Sequence, residues 1–457
     1  MMEKQERSRL LGEMPMPRLV PKIAVPIMIS MLVQALYNVV DSIFVAKYDP
    51  NALTAVSLVY PIQMLMIALS TGLGVGINSL ISRKLGERNL ADARAAAKNG
   101  ILLELLGSGL FVVIGLFFAP VFMRMFTPEA AMQELGATYL RIVCTFSAGL
   151  FMSITLERML QATGNTMHSM LVQLSGAVIN IALDPLLIFG LWGLPEMGIA
   201  GAAWATVIGQ FCSMALGFVL NHRYNAELRL DARGWRLQGS MVQGVLAVGL
   251  PSTVMASIGS VLSVLMNLLL MGYGNTAVSV LGVYFKLQSF VFMPVFGLSN
   301  GLVPIIGYNY GARNRARVHG AIRVALIYAV SIMTAGMLLF LLAPELLMSF
   351  FEAEGPSELT LLGVPALRII STHFLLAALG ITLSTTFQAV GRGSYSLLMS
   401  VCRQLVVLLP AAWILSQLGG LNALWWCFPI AEVVSLAICL YLYRKCDREL
   451  LRKLDAA

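Results

Sequence analysis

Twelve stretches of this 457-residue chain are apolar for long enough to cross a bilayer, and that constrains its fold more than anything else in it. A hydrocarbon core needs about 20 consecutive apolar residues per helix. The stretches cover 19–46, 52–82, 92–119, 132–156, 168–190, 197–220, 242–271, 276–308, 318–343, 360–386, 394–416 and 422–443. They run continuously apolar, whereas the strands of a membrane barrel alternate. The remaining composition agrees, with 58% hydrophobic and only 12% charged residues. A soluble domain carries roughly a quarter charged residues. The expected fold is an all-α polytopic membrane protein of 12 helices.

The net charge of +8 does not point to nucleic acid, because the basic residues sit in short loops between apolar runs. One set of loops and both ends hold 25 of the 31 Lys and Arg residues, counting Arg158 after the fourth stretch. The opposite loops hold only Lys47 and Arg124, and one of them is acidic through Glu345, Glu352, Glu354 and Glu358. Positive loops stay inside, so both termini are expected in the cytoplasm. The polar segment 1–18 reads as a cytoplasmic tail with an amphipathic helix lying on the membrane, not as a cleaved signal. The six cysteines show no metal spacing, and those outside the C-terminal tail read as small buried apolar groups. Cys446 falls in that tail.

The two halves repeat. In one register Pro26 matches Pro251, Gln63 matches Gln288, and 72–91 matches 297–316 with eight identities, among them Gly72/Gly297, Gly76/Gly301, Gly86/Gly311 and Asn89/Asn314. After a short net insertion the register resumes, and LQATG (160–164) matches FQAVG (387–391). This divides the chain into a tail (1–18), a first lobe (19–220), a linker (221–241), a second lobe (242–443) and a C-terminal tail (444–457), the lobes being related by an axis along the membrane normal. Two such lobes can rock about a central site. Pro26 and Pro251 stand at equivalent positions and favour bends that serve as hinges.

Ionisable residues inside apolar runs are functional candidates by default. Gln34, Tyr37 and Asp41 share one face of the first stretch, and Asn180 and Asp184 one face of the fifth. If those faces meet, they form an oxygen-rich pocket, to which Thr206 adds an oxygen. A desolvated carboxylate there can take a proton, and the same oxygens can hold sodium at Asp41, Asn180 and Asp184; the residues leave both ions open. With no basic residue in mid-span of the first lobe, the sequence shows no evident ion-pair partner for these acids, which favours a binding role. The second lobe has Met266 and Ala411 at the equivalent positions. Its buried charges, Lys286, Arg403 and Glu432, read as one cluster. Gln63 and Gln288, with Gln34, Lys286, Arg403 and Glu432, are the expected secondary polar groups of the substrate cavity. Methionines in the spans, such as Met152 and Met293, offer adaptable contacts. Small-residue spacings serve lobe packing as readily as dimerisation, and one chain already holds both lobes, so a monomer is expected.

YNVVDSIFV (37–45), NIALDPLLIFG (180–190), the paired loops at 86–89 and 311–314 and the paired QAxG segments resemble the multidrug and toxic compound extrusion (MATE) family over nearly the whole chain. The resemblance implies export of amphipathic, usually cationic organic compounds from the cell, exchanged for protons or sodium, with no other cofactor. It is closest to the branch with acids in the first lobe, where residues matching Tyr37, Asp41, Asn180 and Asp184 form the ion-coupling site. Another branch carries acids on the seventh and tenth helices, where this chain has none. A lipid-linked precursor flippase of the same superfamily is the alternative, kept open by Lys286 and Arg403. An enzyme is disfavoured: the four histidines are dispersed and HExxH and GxSxG are absent.

Overall fold

In a bilayer every backbone polar group must be satisfied within the chain, which leaves helices as the solution for continuous apolar runs. A computed structural model describes residues 8–48, 50–193, 195–230, 235–351 and 358–454, with side chains described except at 37–39, 41–43, 46 and 50–53. A short helix α1 (Arg9–Glu13) precedes α2 (Met16–Tyr48), α3 (Pro50–Gly86), α4 (Leu90–Val113), α5 (Ala119–Phe126), α6 (Ala130–Thr145), α7 (Ala148–Ala162), α8 (Thr166–Ile188) and α9 (Ile199–Tyr224). The second lobe holds α10 (Gly239–Met271), α11 (Asn275–Gly311), α12 (Arg315–Leu342), α13 (Pro344–Ser349), α14 (Glu358–Ser371), α15 (Phe374–Ala389), α16 (Gly393–Val401), α17 (Leu409–Leu424) and α18 (Cys427–Cys446). Among the described residues, ten spans are single helices or nearly so, and two are helix pairs, α6 with α7 bent by 44° and α14 with α15 bent by 50°. The chain is a multi-pass membrane protein of twelve spans in two lobes.

The repeat seen in the residues is a repeat of structure. The offset that pairs Pro26 with Pro251 also carries the limits of α3 onto those of α11. The bent pairs correspond as well. Arg88 and Arg313 both take left-handed backbone, at φ 58° and 56°. The residue after each, Asn89 or Asn314, caps the next helix by accepting from the amide of Asp92 or Arg317, the ordinary role of Asn at a helix start.

The lobes meet along α3 with α10 and α11 with α2, and the repeated glycines make the seam. A Cβ at Gly76 or Gly86 would run into the carbonyl oxygens of Val245 and Tyr308, and one at Gly72 or Gly311 into Thr253 and the Arg83 carbonyl. One at Gly297 would lie 2.6 Å from the Met28 Cα, and one at Gly301 2.9 Å from the Ala24 Cα. Ser79 Oγ also donates across the seam to the Gln388 carbonyl at 2.6 Å. These approaches lie in the halves of the helices nearest the chain ends. One apolar core runs through both lobes there, while a second, around Val45, Phe111, Leu140 and Ile188, belongs to the first lobe alone. Pro26 and Pro251 lie inside α2 and α10.

Both chain ends stand at this joined end. Asp447 takes Arg315, His319 and Arg452 at 3.2–3.3 Å. The tail helix does not lie out on the membrane: Leu11 is fully buried, and its carbonyl accepts from Asn309 Nδ2 and Arg317 Nη2. Those two polar donors need acceptors, and the tail backbone supplies them. Cys446, expected in the tail, is fully buried in α18, and Cys212 and Cys402 are only partly buried.

Candidate functional site

The first lobe encloses a cavity of about 200 Å³, lined among others by Gln34, Gln63, Gln173, Asn180, Thr206 and Arg158. Its polar wall exists because α8 and α9 come close. A Cβ at Gly209 would lie 2.8 Å from the Gly176 carbonyl oxygen and 3.4 Å from the Asn180 Cβ, so α9 can approach only with glycine there. The approach brings Asn180 Nδ2 within 3.1 Å of Thr206 Oγ1, which donates onward to the Ala202 carbonyl at 3.0 Å. Asn180 Oδ1 has no hydrogen-bond partner among the described residues. Asp184 follows one turn later, fully buried. Gln173 donates to Gln34. Tyr37 and Asp41 stand on α2, but their side chains lie outside the described residues.

Arg158, expected in the loop after the fourth stretch, stands instead within a helix. The fourth span does not end at 156 but continues to Ala162, and Arg158 is a buried helix residue, 5% exposed. Arg158 Nη1 donates to Gln161 Oε1 at 2.8 Å, and Gln161 Nε2 donates to Glu157 Oε1 at 2.7 Å and to Ser169 Oγ at 2.9 Å. Behind Arg158, on α4, lies Glu104 with no exposure at all. Sequence reasoning missed Glu104, Glu157 and Arg158. The signal for Glu104 was present, a lone carboxylate in the run ILLELLG.

The second lobe has its own cavity of about 320 Å³, walled by Phe285, Gln288, Phe292, Phe428, Arg403 and Glu432. Arg403 Nη1 donates to Glu432 Oε2 at 3.4 Å. Arg403 sits in a π-helical turn, Cys402–Leu408, where an extra residue re-aims the side chain. The third member of the cluster is not Lys286. Tyr284 faces the core, and Lys286, two positions on, is turned by about 200° and stands over the Phe351 ring at 6.0 Å. His373 takes that place: its Nδ1 is 4.0 Å from Glu432 Oε2 and its Nε2 is 3.1 Å from the Tyr284 hydroxyl. Gln63 and Gln288, equivalent in the repeat, each face their own lobe's cavity. Among the described residues, no group of three or more His, Cys, Asp and Glu side chains has the arrangement of a metal site.

Comparison with known proteins matches the MatE family model to residues 26–186 and 251–414, one block in each lobe. The multidrug export protein MepA of Staphylococcus haemolyticus is 27% identical over 420 residues, 92% of this chain and 91% of that one. Among solved structures, a MOP superfamily transporter from Pyrococcus furiosus, described as having a binding pocket of reversed polarity, superposes with a TM-score of 0.89 at 26% identity, covering 96% of this chain and 98% of that one. A MATE structure in a bent conformation gives 0.91 at 25% identity, covering 99% of this chain and all of the other.

Proposed function

The chain belongs to the MatE family, and on that premise we propose that it is a multidrug export protein, a secondary antiporter that expels amphipathic, mostly cationic organic compounds in exchange for H⁺ or Na⁺. The observation that carries the reading is the pair of equivalent lobes, joined by glycine seams at one end only and each holding a cavity. Glycine-on-backbone contacts of this kind separate without breaking ion pairs, so the seam can part while the opposite ends close, which is alternating access by rocking. With both termini in the cytoplasm of a cell-membrane protein, the joined form opens outward. Asp184, Asn180 and Thr206, together with Tyr37 and Asp41 from α2, serve as the ion-coupling set. Asn180 Oδ1, lacking a partner among the described residues, supports a site that receives a cation. The aromatic wall of the second cavity suits the apolar body of the cargo, and the π faces suit its charge. A monomer suffices.

The second reading is a flippase of lipid-linked precursors, favoured by an arginine on each cavity wall, Arg158 and Arg403. Each has an acid beside it in sequence or space, which leaves little net positive charge for phosphate. Proteoliposomes separate the two. A fluorescent lipophilic cation should move under an imposed pH or sodium gradient and stop in Asp41→Asn. Absence of movement under both gradients would reject the antiporter and turn the test to labelled lipid-linked substrates.

A further inference from the structure

Glu104 is a fully buried carboxyl on α4. Its side chain has no exposure, and neither carboxyl oxygen has a partner in hydrogen-bond geometry. The polar groups around it are the Ser70 hydroxyl on α3 and, on α7, the Thr155 hydroxyl and Arg158. Thr155 Oγ1 is committed to the Phe151 carbonyl at 2.9 Å, while Ser70 Oγ is unpartnered. Arg158 is turned the other way: it donates through Nη1 to Gln161, its Nε has no acceptor, and among the described residues no carboxylate lies within ion-pair distance of it. Glu157 is held by Gln161.

Other ionisable groups on the elements around α4 do not compensate. Helix α10 has none. On α3, Arg83 and Lys84 lie more than three turns beyond Ser70, about 20 Å along the helix. Glu134 and Arg141 on α6 are exposed. Glu227, beside the start of α4, is bound to Ser8. The buried patch therefore holds two carboxyls and one guanidinium. Fully ionised it carries one uncompensated negative charge, which costs several kcal/mol in a low-dielectric interior; with one proton it is neutral. Glu157 is held by the Gln161 amide, which can only donate, whereas Glu104 faces the Ser70 hydroxyl, which can also accept, so the proton belongs on Glu104, bonded to Ser70.

We infer that Glu104 is a second proton-binding site of the first lobe, with Arg158 as the counter-charge that exchanges for its proton. In the present form Glu104 is a neutral acid and Arg158 faces Gln161 and the cavity. When the guanidinium turns to Glu104, the O–H bond breaks, the proton passes to water in the cavity that Arg158 lines, and a carboxylate–guanidinium pair replaces the neutral acid. The site lies on α4 and α7, apart from the Asn180–Thr206–Asp184 group on α8 and α9. Its use in transport rests on the antiport reading, but the bound proton does not.

The test is infrared spectroscopy of the full chain in nanodiscs, following the carbonyl stretch of protonated carboxylic acids from mildly acidic to alkaline pH. Glu104→Gln should remove one such band, and Glu157→Gln, which leaves one carboxyl and one guanidinium, should keep it only to a lower pH than in the wild type. A spectrum of Glu104→Gln that keeps every wild-type band overturns the inference. Should Glu104→Gln not fold, Arg158→Gln serves instead: without its counter-charge the band should persist to higher pH than in the wild type, and an unchanged titration overturns the proposal. The same samples in proteoliposomes keep the two readings apart. A wild type that carries the Glu104 band but moves ethidium under neither gradient refutes the antiporter and supports the proton site.

Discussion

Removing Arg403 should cost far more than removing its partner. Glu432 is 4% exposed, whereas the Arg403 side chain is 26% exposed on a cavity wall. Arg403→Ala leaves a buried carboxylate without its cation, a loss of about 3–5 kcal/mol. The loss has a ceiling, because the stranded carboxylate can take a proton. For a glutamate of ordinary pKa near 4.3, that costs about 3.7 kcal/mol at pH 7. Glu432→Gln leaves Arg403 hydrated through the cavity and loses one charge-assisted hydrogen bond, about 1–2 kcal/mol. The double variant strands no charge, so it should resemble Glu432→Gln alone and fall about 3 kcal/mol short of the sum of the single effects. The assay is equilibrium unfolding in mixed micelles titrated with a denaturing detergent, for the four members of the cycle at one pH. Additive losses, or a Glu432→Gln variant as unstable as Arg403→Ala, would refute the assignment of Glu432 as a buried carboxylate neutralised by Arg403.

The glycine seam makes a geometric prediction. Gly76→Leu should prevent the joined end from closing, seen as a lengthened distance between spin labels at Ser79 and Gln388, while Gly259→Leu, where a Cβ meets nothing within 4 Å, should leave it unchanged. Asp184→Asn should abolish or strongly weaken gradient-driven efflux with unfolding midpoint retained, and an unchanged ion dependence would reduce Asp184 to a structural acid. Arg317→Ala removes two bonds to the tail backbone and should speed hydrogen exchange through residues 9–14 by tenfold or more, for a loss of about 1.5–3 kcal/mol. Burial pushes the Glu227 carboxyl above its ordinary range, partly offset by the bonds from Ser8. The folded state then binds more protons than the unfolded one in that window, so this contribution to stability is present below the ordinary glutamate value and is lost as pH rises through the raised one. Glu227→Gln should flatten the pH dependence of exchange at the tail.

Several features were legible in the residues because they are local or compositional. An apolar run in a bilayer has to satisfy its own backbone, so length and hydropathy alone decide that it is a helix. That is why twelve spans could be counted and why shared spacings such as Gly86/Gly311 revealed two lobes before any contact was known. Lone charges in such runs, Asp184 and Glu432 among them, could be picked out in the same way. What the residues do not carry is which way a helix face turns and where a span ends against its neighbours. Lys286 and Tyr284 are two positions apart, yet one faces outward and the other the core, and only the packing of α15 on α18 decides that His373 stands beside Glu432. Arg158 looks like a loop residue, but α7 continues past it to Ala162 and its side chain is buried. Ser79 meets Gln388 across 309 residues of chain. Neighbours so distant in sequence are chosen by tertiary packing, where glycines let backbones touch, and no local propensity encodes that choice.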